Sequence, residues 1–458
     1  MGTQLILLVG TNPLPIWVAW QYLHKLLEPP VAVRLVYTEN TQDEVKRLHA
    51  ELRDAVFLPD IKTSPGDPAV VRDNIRVAIE PLPPETASIH VHYTGGTKVM
   101  AVETVTGLER YREQLRGSFR IDTSYLDPRG DTGPTLINQQ GHRLVKDTRQ
   151  TLLTDLRQIA QLNGFVTGPF VHRYYNRQGR QTRSYPKPAE LIEPQMQAGR
   201  KVLTEAQAKW VGILAGRNSK WDQTFPQKEE ENFIYPEHAG VFSLPEPLQP
   251  WQQNLLPLIN AMYPHCPWDI ATGILSYPAR SATSLQVRAD LEHMHRFFQG
   301  VWLEYAAYDA LQQALEHIAK QNNARTNYKL SHGVYIRRAE SEHRGQRPRG
   351  DNIKPFELDV VAVLGYQLLV VSCSVATGEK EIKQKAMEAI IRARQLGGDE
   401  ARAIVLCRAS KETATNVQAE MEDEMGSDAL PLQIWGVQRW NDLWRHFHNY
   451  LRNDLHWT

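Results

Sequence analysis

Residues 93–98 read YTGGTK, that is Tyr93-Thr94-Gly95-Gly96-Thr97-Lys98. They stand between a strand-like run, SIHVH (88–92), and a helix-like one, VMAVETVTGLERYREQL (99–115). A strand that passes through a glycine-rich turn into a helix is the building unit of an α/β fold. The turn also has the makings of a phosphate cradle. Gly95 and Gly96 leave backbone NH groups free to point inward, as in an anion nest. Thr94 and Thr97 add hydroxyls, and Lys98 adds a point charge at a helix N-terminus. The pattern is not a Walker A loop, because no GK[ST] occurs and the lysine follows the threonine.

The same unit repeats on either side. Gln4 to Val9 is a short apolar run, as expected of a strand buried on both faces. Pro15 to Leu27 carries apolar residues at helical spacing, and Ala32 to Tyr37 (AVRLVY) is a second strand. Thr41 to Leu52 reads as a charged amphipathic helix, Ala69 to Ile79 as another, and Phe119 to Tyr125 as a strand near the domain end. Repeated βα units predict a parallel sheet flanked by helices, the Rossmann-like class. Ligands of such sheets lie beyond the carboxyl ends of the strands. Three polar loops leave strands there. In GTNPLP (10–15), Gly10 permits close backbone approach, Thr11 and Asn12 offer hydrogen bonds, and Pro15 suits a first helical turn. TENT, with Thr38 and Glu39, leaves the second strand, and YTGGTK leaves a later one. Each alone is also what an ordinary βα turn looks like. Three at equivalent edges of one sheet favour a shared ligand. His90 and His92 share a strand face, as a metal pair or as two half-buried structural histidines.

A chain of 458 residues is too long for one ordinary core. Lys plus Arg and Asp plus Glu both total 52, so any basic site is local. The three cysteines, Cys266, Cys373 and Cys407, argue against a disulfide framework and for a reducing cytoplasm. No window approaches the roughly 18–20 apolar residues of a membrane span. The apolar start, without a basic region before it, reads as a buried strand rather than a signal peptide.

GTNPLP after one strand and YTGGTK after a later one resemble the CARF domain of CRISPR-associated proteins. The nearest likeness is to ancillary nucleases of the Can/Card type, whose ligands are cyclic oligoadenylates. The resemblance implies that Thr11, Asn12, Thr94, Gly95, Gly96, Thr97 and Lys98 contact the ribose-phosphate ring, with Thr38 and Glu39 near an adenine. It also implies a homodimer, and a cyclic tetranucleotide has the internal symmetry to sit on a two-fold axis. The expected layout is a CARF domain over 1–135, an irregular connecting region over 136–289 that includes a helix at Leu203 to Leu214, and a second domain over 290–458.

In that last part, Leu291 to Ala319 reads as a long helix broken at Gly300, and Tyr328 to Arg338 as a strand. A basic loop follows, Ser341 to Asn352, with Arg344, Arg347 and Arg349. Strands Phe356 to Val363 and Tyr366 to Ser372 join at Gly365; the helix Lys380 to Leu396 and the strand Arg402 to Cys407 come next. This order resembles the PD-(D/E)xK nuclease fold, an α/β domain whose carboxylates bind a divalent metal (Mg²⁺ or Mn²⁺). By motif position Glu304 and Asp359 are the metal ligands, with Glu357 two residues from Asp359. The E-x-K triplet of that fold is here Ser372-Cys373-Ser374, without carboxylate or lysine. Either the site is rebuilt, with Glu357 and one of Lys380, Lys383 or Lys385 supplying the missing groups, or the fold binds without cutting. Tyr335 and Tyr366 are candidates for base stacking or for core packing. The resemblance implies a nuclease activated by cyclic tetra-adenylate to cleave RNA or single-stranded DNA in antiviral defence. The alternatives are a non-cleaving sensor and a ring nuclease that degrades its activator.

Overall fold

The computed structural model describes residues 2–79, 86–115, 119–128, 130, 133–168, 174–175, 181–182, 197–199, 227–228, 232–233, 235–244, 247–321, 328–339, 356–426 and 431–457. The expected helix at 203–214 and the basic loop at 341–352, with Arg344, Arg347 and Arg349, lie outside them.

β1 (Gly2–Leu8) is buried from Thr3 onward and is flanked on both sides by parallel partners, which is why it reads as an unbroken apolar run. The other strands of its sheet are β2 (Val31–Tyr37), β3 (Val56–Phe57), β4 (Ile61–Lys62), β5 (Thr86–His92), β6 (Arg120–Asp127), β7 (Thr135–Asn138) and β8 (Arg143–Val145). The spatial order is β3-β2-β1-β5-β6-β7-β8, with β4 also on β2. Pairings from β3 to β6 are parallel, and β7 and β8 add an antiparallel edge. Helices α1 (Leu14–Leu26) and α2 (Gln42–Glu51) pack on the face bearing Leu5, Leu7 and Val9. Helices α3 (Pro68–Ile79) and α4 (Lys98–Leu115) cover the other face, against Ile6, Leu8, Ile89 and Val91.

Residues 136–289 do more than connect. They supply β7 and β8 to the first sheet, then α5 (Leu156–Leu162) and β9 (Phe165–Gly168), which joins the second sheet. Short hairpins follow, β10 (Tyr174–Tyr175) with β11 (Gln181–Thr182) and β12 (Gln227–Lys228) with β13 (Asn232–Phe233). A small antiparallel sheet of β14 (Gly240–Ser243), β15 (Trp268–Asp269) and β16 (Ile274–Tyr277) packs with α6 (Pro250–Met262).

Helix α7 (Leu285–Arg296) runs into a kink, and α8 (Trp302–Gln321) continues beyond it. The break falls at the expected Gly300, where the backbone takes φ 145°, a conformation that glycine tolerates. The second sheet has the order β21-β20-β19-β18-β17-β9. Its strands β17 (Tyr328–Arg338), β18 (Phe356–Leu364) and β19 (Gln367–Ser374) form an antiparallel meander; β20 (Arg402–Cys407) and β21 (Leu432–Trp435) run parallel to β19. Helix α8 packs on the face of Val360, Ala362 and Leu369. Helices α9 (Glu379–Gly397) and α10 (Lys411–Met425) pack on the face of Val361, Val363 and Val370. That second core is continuous with the α1 side of the first sheet, so one apolar mass joins Leu5, Trp17 and Leu23 to Ile382, Ala389 and Leu396. The chain closes with α11 (Leu443–Asn449). Among the described residues no helix is long and apolar enough to cross a membrane.

A buried guanidinium pins the seam. Arg149 is 1% exposed and donates to both Asp147 oxygens at 2.9 Å, to Gln367 Oε1 at 2.7 Å, and to the Leu455 and His456 carbonyls. Its backbone lies against the β18–β19 turn, where Gly365 (φ 66°) leaves no room for a side chain.

Candidate functional site

β1 and β5 are neighbours in register, Leu7 beside His92, and the chain order reverses at this pair. The loops after them therefore leave the sheet side by side, at the switch point where α/β sheets open a crevice. They meet backbone to backbone. A Cβ on Gly10 would stand 1.7 Å from the Gly95 carbonyl oxygen; one on Gly95 would stand 2.6 Å from the Leu8 oxygen, and one on Gly96 2.7 Å from the Leu8 side chain. None of the three has a positive φ. These glycines serve close approach, and the alternating left-handed form of an anion nest is not how the loop is built.

Most of the polar side chains of these loops already have local work. Thr94 Oγ1 accepts from Leu126 N at 2.7 Å. Thr97 Oγ1 donates to the Pro65 carbonyl at 2.8 Å and accepts from Met100 N at 3.1 Å, capping α4. Asn12 Oδ1 accepts from Leu14 N at 3.1 Å, and its amide nitrogen rests on Gly398 at the end of α9. Thr38 is buried and donates its NH to Thr41 Oγ1 at 3.0 Å. Glu39 is exposed and ion-paired with Lys62. Thr11 and Lys98 are exposed and make no polar side-chain contact among the described residues, leaving a hydroxyl and an ammonium open at the crevice.

His90 and His92 both bond Ser124 Oγ, at 2.8 and 3.0 Å. Burial pushes them down to about 4 and about 3. They are neutral core groups, and among the described residues no group of three or more His, Cys, Asp or Glu side chains stands ready for a metal ion.

The second site opens where two strands part. The β18–β19 ladder ends at Val360 beside Val371. Beyond it, Asp359 Oδ2 takes the Cys373 NH at 2.7 Å and the Ser372 hydroxyl at 3.3 Å, doing with a side chain what the backbone no longer does. Glu304 stands in the first turn of α8, just past the Gly300 kink, with Oε2 3.1 Å from His332 Nε2 on β17. The Cys373 thiol is pushed well above its usual range, first by burial, then by the charges of Asp359 and Glu304, with Lys385 opposing. One thiol thus feels the helix carboxylate, the strand carboxylate and one lysine of α9. It is held as the thiol, which makes it a poor nucleophile.

The other lysines go elsewhere. Lys383 binds Glu420 at 3.0 Å and Glu424 at 2.7 Å, both on α10. Lys380 is exposed in the first turn of α9. Glu357 lies further along β18, where its carbonyl accepts from Arg392 at 3.2 Å. Tyr366 is fully buried with its hydroxyl 2.8 Å from Thr148 Oγ1, so it packs in the core and does not stack bases. Tyr335 is half-buried on β17, and Arg337 and Arg338 end that strand exposed. The sequence reading missed His332. The pairing of β17 with β18 sets it opposite Val360, next to Asp359 in the chain, and the packing of α8 on β17 brings it to Glu304; neither leaves a local mark.

No protein-family model matches the chain, and no curated protein does. Among solved structures, protein VC1899 from Vibrio cholerae is similar, with a TM-score of 0.62 at 15% sequence identity, over 98% of this chain and 97% of that one. The likeness is one of fold, and it runs through both sheets.

Proposed function

We propose that this chain is an ancillary effector of type III CRISPR defence. In this reading its first sheet is a CARF domain that binds cyclic oligoadenylate, with cyclic tetra-adenylate as the ring, across a homodimer in the cytoplasm. Its second sheet is a PD-(D/E)xK-like domain that cleaves RNA or single-stranded DNA. The observation that carries the reading is the meeting of the GTNPLP and YTGGTK loops at the switch point of the first sheet, with Thr11 and Lys98 exposed. A two-fold copy of that crevice presents two Lys98 ammonium groups to the four phosphates of the ring.

In the C-terminal cleft, Glu304 and Asp359 would hold the divalent cation. Two carboxylates suit Mg²⁺, which keeps waters and shares substrate phosphates, better than they suit a closed protein cage. When bound, such an ion polarises a phosphoryl oxygen and activates water. The Cys373 NH and the Ser372 hydroxyl orient the Asp359 carboxylate, and Lys385, whose positive charge is felt at Cys373, would supply charge near a bound phosphate. Ligand binding drives cleavage only by the difference in its affinity for open and closed dimers.

A second reading, a sensor that binds nucleic acid without cutting it, draws on Ser372-Cys373-Ser374 and on the lack of a three-donor group among the described residues. The test is incubation with labelled RNA and DNA, with and without cyclic tetra-adenylate and Mg²⁺ or Mn²⁺. Activator-dependent cleavage abolished by Asp359→Ala supports the nuclease. Binding without cleavage supports the sensor. Loss of the activator alone marks a ring nuclease.

A further inference from the structure

Glu304 Oε2 and His332 Nε2 are shielded from solvent and lie 3.1 Å apart, yet neither makes a well-aligned hydrogen bond. Buried polar atoms left in this state are uncommon and call for an explanation. His332 is not loosely held. It stands opposite Val360 in the β17–β18 ladder, one residue before the left-handed Gly333 (φ 58°), and Val334 stands opposite Leu358. Asp359 therefore runs alongside Gly333, where no side chain intervenes. Two rings of α8 fix the imidazole, Tyr305 at 5.2 Å between centroids and Tyr308 edge-on at 6.3 Å. Lys385, 3.6 Å from Glu388, acts on Cys373 by its charge from α9, which packs on the opposite face of the sheet from α8. The face of the cleft that carries Glu304 thus has His332 as its basic partner.

We propose that His332 is a positioning residue of this cleft. With a divalent cation drawing the Glu304 carboxylate into place beside Asp359, the His332 Nε2–H, misaligned at 3.1 Å without the ion, would come into line and hold it there. The proposal rests on reading the cleft as a nucleic-acid-processing site. A plain structural ion pair between α8 and β17 makes a different prediction: loss of the imidazole would lower stability, and restoring a donor would not matter in particular.

The experiment uses the full chain as wild type, His332→Phe, which keeps a ring without a donor, and His332→Gln, which keeps an N–H. Mn²⁺ binding is followed by the paramagnetic signal of the free ion, with unfolding midpoints and activator-dependent cleavage measured alongside. His332→Phe should bind Mn²⁺ roughly tenfold to hundredfold more weakly at an unchanged unfolding midpoint. His332→Gln should recover most of the loss. Wild-type affinity in His332→Phe overturns the proposal; so does an equal loss in both variants, or a wild type that binds no Mn²⁺. If the Mn²⁺ pattern holds while nothing is cleaved, His332 keeps its role and the nuclease reading falls. Should His332→Phe not fold, His332→Leu takes its place.

Discussion

The two candidate sites differ in how their polar atoms are satisfied. In the N-terminal loops, Thr94, Thr97, Asn12 and Thr41 each hold a backbone group in place at 2.7–3.1 Å, and the crevice is left with Thr11 and Lys98. In the C-terminal cleft, the facing atoms Glu304 Oε2 and His332 Nε2 are shielded from solvent without a well-aligned bond. The stronger sequence motif thus marks the better satisfied structure, and the weaker motif marks the less satisfied one. A loop motif can be demanded by folding alone, since turn and cap residues are also phosphate-binding residues. A carboxylate and an imidazole whose facing atoms are shielded and misaligned leave part of their desolvation cost uncompensated.

The largest expected effect falls at the seam between the regions. Arg149→Met leaves the buried Asp147 carboxylate without its partner and frees two carbonyls of the C-terminal tail. Removing one member of a buried pair costs about 3–5 kcal/mol. Urea unfolding should show that loss, and show it in one transition, because a single apolar core spans both sheets. Two separated transitions would mean that the regions are independent and that the comparison is between two proteins on one chain.

How far the sequence reaches follows from the same local and non-local divide. The buried parallel strands were legible because burial on both faces forces apolar runs, as in Leu5 to Val9 and in RAIVLC at 402–407. The break at Gly300 was legible because glycine tolerates φ 145°. Glu304 and Asp359 were named only through a motif resemblance, and the structure sets the charges of both near Cys373. Three things were hidden. β9 pairs with β17 far along the chain, a contact that no local pattern encodes. The choice among Lys380, Lys383 and Lys385 depends on Glu420 and Glu424 of α10 holding one of them. His332 needs the strand pairing itself.

Next in size is the response to acid. His90 and His92 are held down to about 4 and about 3, so the unfolded chain binds their protons first as pH falls below 6.5. Their contribution is complete above that pH and is lost on the way down to their folded values. Between pH 6.5 and 4.5 the pair costs about 4 kcal/mol. Glu400 opposes them. Burial raises it to about 7, so the folded state gains its proton first, and it returns about 2 kcal/mol over the same window. The net fall is about 2 kcal/mol, read as a drop in urea midpoint from pH 6.5 to 4.5. In His90→Gln/His92→Gln the fall should vanish or reverse. An unchanged fall would remove these histidines from the neutral core and reopen them as a site.

A smaller effect separates the folding role of the loop from its binding role. Thr94→Val keeps the shape of the side chain but strips the acceptor from Leu126 N. An unsatisfied NH costs about 1–3 kcal/mol, so the unfolding midpoint should fall. If stability holds and only cyclic tetra-adenylate binding falls, the loop is less committed to the fold than its hydrogen bonds imply, and the contrast with the cleft weakens.

Lys98→Ala should change stability least. It is exposed and makes no ion pair among the described residues, and surface substitutions of that kind stay within about 0.5 kcal/mol. Its effect belongs to the ligand. A charge-assisted contact to a phosphate is worth about 1.5–3 kcal/mol, so calorimetric affinity for cyclic tetra-adenylate should fall by roughly tenfold or more. In a two-fold receptor both copies are lost together, which deepens the fall. A variant that binds the ring as tightly as wild type would make YTGGTK a helix cap and nothing more. The unsatisfied cleft would then be the molecule's one remaining candidate for chemistry among the described residues.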